Sequence, residues 1–252
     1  MSIRLTVITT SYNSEKTIED TIISVLSQNY PDIEYLIIDG GSTDDTIEIV
    51  KKYLPDQRIT FVSERDDGLW DAMNKGVDLS SGEFICFLNS DDVFSSDVIV
   101  SESMLFVELN SLDFMFGFVD MFDAQLSKCY RKYRVQALEE AMLRKGIMPA
   151  HPGSIVRKSL FLKNGSFRYN LNVPPDFFFM LSLLVSKDQI KIKCFKTVLV
   201  KMRAGGIGNS SISYRIQRQF KIINALKLVG FKVFILRYVF GKFNYRIREY
   251  FD

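Results

Sequence analysis

Over the first hundred residues, short apolar runs alternate with stretches whose apolar positions repeat at helical spacing. Arg4-Leu5-Thr6-Val7-Ile8-Thr9 predicts a strand. Ser14 to Ser27 carries Ile18, Ile22, Val25 and Leu26 on one helical face behind a Ser14 cap, and Glu34 to Ile38 predicts a second strand. The unit repeats: a helix over Thr43 to Leu54, a strand over Ile59 to Val62, a helix over Leu69 to Leu79 and a fourth strand over Glu83 to Leu88. Strands alternating with helices imply a mostly parallel sheet, with ligand loops at the carboxyl ends of its strands.

Beyond Asp92 the pattern lengthens and loses its regularity. Asp97 to Leu109 reads as a helix, Asp113 to Asp123 and Lys128 to Val135 as an antiparallel strand pair, and Ile190 to Met202 as another strand pair. Pro174-Pro175-Asp176 opens an apolar helix over Phe177 to Val185, with Pro175 suited to its first turn. Two basic helices, about Ser213 to Leu228 and Phe231 to Phe251, close the chain. The expected organisation is a domain over 1–210, divided into a ligand-binding half (1–95) and a second half (96–210), followed by a basic helical extension over 211–252.

Composition adds one asymmetry. From Lys191 onward, fourteen Lys and Arg face only Glu249 and Asp252, a net of +12 that leaves −10 for the rest of a chain whose total is +2. A basic segment attracts nucleic acid or an anionic membrane; cations alternating with Phe, Ile, Leu and Tyr favour the membrane surface and no nucleic acid. At 252 residues and 47% apolar the chain can bury a core. Its three cysteines lack disulfide or zinc spacing and suit a reducing cytosol. No stretch reaches the roughly 18 apolar residues that span a bilayer, and the N-terminus lacks a signal-peptide core. The expected location is cytoplasmic, peripheral at the inner face of the membrane.

The candidate chemistry falls at the strand ends. Thr9-Thr10-Ser11-Tyr12-Asn13 offers short polar groups and the π-face of Tyr12 to a nucleotide. Asp39-Gly40-Gly41 supplies a carboxylate for a base or ribose and a backbone open to close approach, without the spaced glycines of a dinucleotide fingerprint. After the third strand, Asp67 lies in a turn and Asp71, Asn74 and Lys75 share a helical neighbourhood, while Trp70 suits packing. The fourth strand delivers Asn89-Ser90-Asp91-Asp92, adjacent acids placed to hold a divalent cation. The single histidine, His151, lies in the stiff turn Pro149-Ala150-His151-Pro152-Gly153. Asp176 precedes a run too apolar to face solvent, so its carboxylate is expected at a cavity rim, with apolar walls that favour a base.

These segments together, TTSYN, IIDGGSTDDT, SERDDGLWDAMNKG and GEFICFLNSDD, resemble the family 2 glycosyltransferases of GT-A fold, especially the bacterial branch that builds O-antigen and capsular polysaccharide. The resemblance is dense over about one hundred residues and thinner to about residue 210. It implies an α/β GT-A fold and an inverting hexosyl- or N-acetylhexosaminyltransferase using a nucleotide-sugar donor, with a UDP-sugar the expected one and a lipid-linked oligosaccharide as acceptor. Donor contacts are expected from Thr10, Tyr12, Asn13, Asp39, Asp67, Asn74, Lys75, Asn89, Ser90 and Asp91. Asn89 stands where the family has the first acid of Asp-x-Asp, which moves the expected Mn²⁺ or Mg²⁺ ligands to Asp91 and Asp92. Asp176 resembles the family's base, and His151, Arg203, Gly205 and Gly206 are expected near the diphosphate or acceptor. A homodimer is a further expected partner state.

Two other classes compete. A metal-dependent phosphohydrolase or nucleotidyltransferase also uses strand-end acids, yet it needs an aspartyl nucleophile on the first strand or a Gly-rich phosphate loop, and the first strand ends in neither. A non-catalytic binder of sugar nucleotide or membrane is the third class.

Overall fold

The computed structural model describes residues 3–186, 189–205, 212–233, 238–243 and 245. Its first half builds β1 (Leu5–Ser11), α1 (Ile18–Leu26), β2 (Ile33–Asp39), α2 (Thr46–Lys51), β3 (Ile59–Ser63), α3 (Leu69–Leu79) and β4 (Phe84–Phe87). The second half adds β5 (Val93–Phe94), α4 (Ile99–Leu109), β6 (Phe114–Phe122), β7 (Cys129–Tyr133), α5 (Glu140–Leu143), β8 (Ser154–Arg157), α6 (Lys158–Asn164), α7 (Pro175–Val185), β9 (Ile192–Arg203) and α8 (Ile212–Leu228).

One sheet runs β3-β2-β1-β4-β8-β6-β9-β5, with β7 paired to β6. The block β3-β2-β1-β4 is parallel, as βαβ connections require. β8 then joins β4 and β6 antiparallel, and β6 runs parallel to β9. Alternate residues of each central strand enter opposite cores. Ile8, Leu36 and Ile38 pack toward α3, α7 and α8, while Leu5, Val7, Tyr35 and Ile37 pack toward α1 and α4.

Close packing places the site helices. In α3, a Cβ on Gly76 would lie 2.5 Å from Ile8 Cγ2, so only glycine lets this helix lie directly on β1.

Two expected elements differ. The strand pair over Ile190 to Met202 is one twelve-residue strand, β9. It stays paired with β6 through two register shifts: Gly117 pairs with Phe195, Phe118 with Val198 and Val119 with Val200, so Lys196 and Thr197, then Leu199, are extruded. Gly117 admits the bulge, since a Cβ there would meet Leu199 Cδ1 at 2.0 Å. The final helix does not begin at Phe231: residues 231–233 are non-helical and 238–243 are helical, and the remainder of that expected element lies outside the described residues. No helix among the described residues is long and apolar enough to cross a membrane.

Packing divides the apolar residues of α8. Ile222, Ile223, Ala225 and Leu226 enter the core shared with α7, whereas Ile216 and Phe220 stay exposed. Tyr238 Oη and Lys242 Nζ both bond Gln219 Oε1, at 2.7 and 2.5 Å, and tie the following segment to α8.

Candidate active site

Parallel strands β1, β2 and β4 end side by side, and their loops form one polar surface. At the end of β2, Asp39 is fully buried and accepts five hydrogen bonds. These come from the hydroxyls of Ser11 (3.1 Å), Ser42 (2.5 Å) and Ser63 (2.8 Å) and from the N–H groups of Gly41 (3.1 Å) and Ser42 (2.9 Å). A carboxylate has about four lone-pair directions, so Asp39 has none left over for a base or ribose. It fixes the loop that the sequence pattern marked as donor-binding.

Neighbouring groups divide between anchoring and availability. Asn13 accepts from the Thr43 N–H (2.9 Å) and donates its own N–H to Ser42 Oγ (2.8 Å), joining the first two strand-end loops. Tyr12 is 64% exposed, its ring free to take a flat partner. Thr10 is buried, and its Oγ1 finds no hydrogen-bond partner among the described residues, an unsatisfied group at the strand end where ligands bind.

At the end of β4 the two acids have different roles. Asp92 is 1% exposed and accepts from Asn89 Nδ2 (2.9 Å) and the Arg203 N–H (3.1 Å). Burial, then the neighbouring Asp91 charge, push its carboxyl well above the usual range. With one bond accepted on each oxygen, Asp92 holds the loop and keeps about two of its four lone-pair directions. Asn89 correspondingly turns its amide to Asp92. Ser90 Oγ and Ser14 Oγ lie 2.8 Å apart, pinning this loop to the start of α1.

Asp91 is the uncommitted acid. Its carboxylate makes no side-chain hydrogen bond or ion pair among the described residues, and burial pushes it above the usual range. A hard divalent cation fits such a group, since Mg²⁺ and Mn²⁺ are commonly held by one or two carboxylates together with substrate phosphates. No cluster of three acidic, His or Cys ligands exists among the described residues, which leaves any further ligands to a bound donor and water.

Arg203 is a clasp. Its guanidinium bonds the Asp91 carbonyl (3.0 Å), the Ala124 carbonyl (2.7 Å) and Asp20 Oδ2 (2.7 Å), which engages three of its five N–H groups. Gly205 is exposed in left-handed backbone (φ +118) with open space around it. Gly206 lies outside the described residues.

The group on α3 is likewise reassigned. Asn74 bonds the Phe167 main chain in both directions, 2.9 Å each, which engages one of its two amide N–H groups and one lone pair of its oxygen. Lys75 pairs with Glu64 at 2.8 Å, and that partner raises its ammonium above the usual range. Asp67 is exposed, and its N–H bonds Asp71 (3.2 Å). Trp70 packs on Phe167 and His151, at 5.1 and 6.0 Å between ring centroids.

Asp176 lines a small apolar cavity of about 10 Å³, room for one water, with Phe87 of β4, His151, Phe161, Phe167 and Phe179. Phe87 is two residues ahead of Asn89, so the cavity adjoins the strand end that carries Asp91. Sequence placed this carboxylate at a cavity rim; the fold sets it in the cavity wall, 8% exposed. One neighbour was not legible: Arg218 of α8 donates to Asp176 Oδ2 at 2.8 Å, replacing part of the expected apolar wall with a cation. Nothing in the run Arg215 to Lys221 marks Arg218 apart from its fellow cations; only the helix packing selects it. His151 sits against Phe87, Trp70 and Phe167, and burial pulls it down to about 4, so the imidazole is neutral at neutral pH. It can donate or accept a hydrogen bond there, without a charge for a diphosphate.

Comparisons with known proteins agree with this architecture. The glycosyltransferase for PGL/p-HBAD biosynthesis of Mycobacterium bovis is 27% identical over 192 residues, 75% of this chain and 73% of the relative. TuaG of Bacillus subtilis, a glycosyltransferase named for teichuronic acid biosynthesis, is 39% identical over 106 residues, 41% of this chain and 42% of its own. Among solved structures, S. aureus TarS 1-349 in complex with UDP-GlcNAc superposes with a TM-score of 0.67 at 19% identity, over 90% of this chain and 65% of that one. The mannosyltransferase PcManGT of Pyrobaculum calidifontis, in complex with GDP-Man and Mn²⁺, gives 0.66 at 16% identity, over 92% of this chain and 66% of that one. The chain thus spans about two thirds of these solved chains, and the shared fold is GT-A. The sequence profile of Glycosyl transferase family 2 matches residues 6–179, a span that begins in β1, takes in the Asp91 strand end and closes just past Asp176, and the chain belongs to that family.

Proposed function

We propose that the protein is an inverting transferase that moves one hexosyl or N-acetylhexosaminyl unit from a UDP-linked donor to a hydroxyl of a lipid-linked oligosaccharide, in the assembly of an O-antigen, capsule or similar cell-surface polysaccharide. The observation that carries this reading is the pairing of two differently prepared carboxylates: Asp91, uncommitted at the β4 end, and Asp176, at a cavity whose wall includes Phe87 of the same strand. The solved relatives bound to UDP-GlcNAc or to GDP-Man with Mn²⁺ support a nucleotide-sugar donor, and the curated relatives' names support a cell-surface product.

In this reading Tyr12 and the orphan Thr10 hydroxyl face the nucleoside. Asp176 accepts the proton of the acceptor hydroxyl as that oxygen bonds the anomeric carbon, and the bond to the diphosphate breaks with its electron pair leaving on the diphosphate. A cation held by Asp91 would neutralise the charge on that leaving group. The acceptor's lipid is met at the inner face of the membrane. Ile216, Phe220, Val239, Phe240 and Phe243 are exposed on the last segments beside Lys221, Lys227 and Lys232, an apolar and basic surface suited to anionic lipid.

Calorimetric titration of UDP and GDP, each with and without Mn²⁺, into wild type and Asp91→Ala tests the donor site. Mn²⁺-dependent UDP binding that the variant loses supports the reading. Preference for GDP overturns the donor assignment, and binding of neither overturns the site.

A further inference from the structure

Arg218, Ile222 and Ala225 fall at i, i+4 and i+7 along α8, the spacing of a single helical face. Ile222 and Ala225 are buried against the core that α7 shares, which directs the same face of the preceding turn toward the N-terminus of α7. There Arg218 meets Asp176, 42 residues away in sequence, at 2.8 Å. Ile216 and Phe220, on the other side of the same turns, are exposed. The Asp176 carboxylate is 11% exposed; its Oδ1 accepts the Phe177 N–H at 2.8 Å and its Oδ2 accepts from Arg218. Its rotamer is therefore held from two directions while it borders the apolar cavity. The other titratable group at that cavity is His151, the only histidine in the chain, which feels both partners: Asp176 favours its protonation and Arg218 opposes it.

We propose that Arg218 is a positioning residue of the active site: α8 supplies it to fix the orientation of the Asp176 carboxylate at the cavity, which makes the C-terminal helix part of the catalytic unit. The proposal rests on the reading of Asp176 as the base. A charge-assisted bond to a guanidinium narrows the geometry a carboxylate can adopt, and general-base catalysis requires that geometry to be held within hydrogen-bond reach of the reacting hydroxyl. Without Arg218 the largely buried carboxylate lacks a cationic partner and can turn toward the His151 imidazole, which lines the same cavity.

The lone histidine makes this measurable without a substrate. NMR titration of the His151 imidazole is compared in wild type, Arg218→Gln, Arg218→Lys, Asp176→Asn and the double variant Arg218→Gln/Asp176→Asn. Arg218→Gln should move the titration upward, both by removing a repelling cation and by releasing the carboxylate toward the ring, and Arg218→Lys should restore it most of the way. In the Asp176→Asn background the same Arg218→Gln change should move it much less, because the carboxylate that would swing is gone. Three results overturn the proposal: no movement in Arg218→Gln, equal movement in both backgrounds, or a Lys variant that behaves like Gln. Amide-exchange protection of α8 in each variant shows that the helix is still docked. The cycle needs no turnover, so it can fail while Asp176→Asn still abolishes transfer, and Asp176→Asn can retain transfer while the cycle succeeds.

Discussion

Asn74 and Phe167 exchange two hydrogen bonds across 93 residues of chain: the Asn74 Nδ2 donates to the Phe167 carbonyl and the Phe167 N–H donates to Asn74 Oδ1, each at 2.9 Å. The side-chain amide imitates a strand partner and pins the segment before α7 to α3, beneath the aromatic rings that wall the Asp176 cavity. Asn74→Ala leaves a buried donor and acceptor unmatched and should destabilise the fold by about 2 kcal/mol. Asn74→Asp, which keeps the acceptor, should differ from it in urea unfolding; equal and negligible effects of both would contradict the clasp.

The neighbouring acids Asp91 and Asp92 should separate cleanly on substitution. Asp92→Ala removes the acceptor for Asn89 and the Arg203 N–H and should cost roughly 1–3 kcal/mol in denaturant unfolding. Asp91→Ala, which breaks no side-chain bond and relieves a desolvated charge, should leave stability unchanged or raised, while Mn²⁺-dependent UDP affinity falls at least tenfold on the order expected for a metal ligand. The opposite pattern would exchange their roles.

His151 gives the protein an acid sensitivity of defined sign. Burial lowers the folded-state value to about 4 from the ordinary 6.5, so between those values the unfolded chain binds more protons than the folded one. Stability therefore falls as pH drops through that window, by about 3 kcal/mol in all, and is unaffected by this group above it. His151→Gln should flatten that part of the curve of unfolding free energy against pH; an unchanged slope would show that other groups produce it.

Membrane association should depend on two exposed rings. Phe220 and Phe240 are each 63% exposed, so replacing both with Ser should leave the melting temperature unchanged. The same change should reduce co-sedimentation with anionic vesicles several-fold, and raised salt should weaken binding further. Equal binding to zwitterionic vesicles, or no loss in the double variant, would dismiss this surface.

Periodicity and turn chemistry made much of the architecture legible. The period-2 and period-3.6 runs through Leu88 mark each strand and helix of the parallel half, because those elements bury one or both faces and their apolar spacing records it. Asp176 at a cavity was readable from Pro174-Pro175 and the Phe run that follows, a local signal. The single strand β9 was not, because residues extruded at its two register shifts look like a turn until β6 is seen beside it.

Side-chain assignment was decided by distance in space. Asp39, Asn74, Asp92 and Arg203 have the residue types and strand-end positions of ligand groups, yet each is already matched inside the protein by partners up to 112 residues away. Which carboxylate is left unmatched depends on how many donors the fold brings to it, a quantity that no local pattern encodes. The same reason hides Arg218: its chemistry is that of every cation in the tail, and only the packing of α8 on α7 sets it against Asp176. Local sequence determined where the reactive groups are delivered, through the period and ends of the strands; the tertiary structure determined which of them remain available to react, through hydrogen bonds that only folding can close.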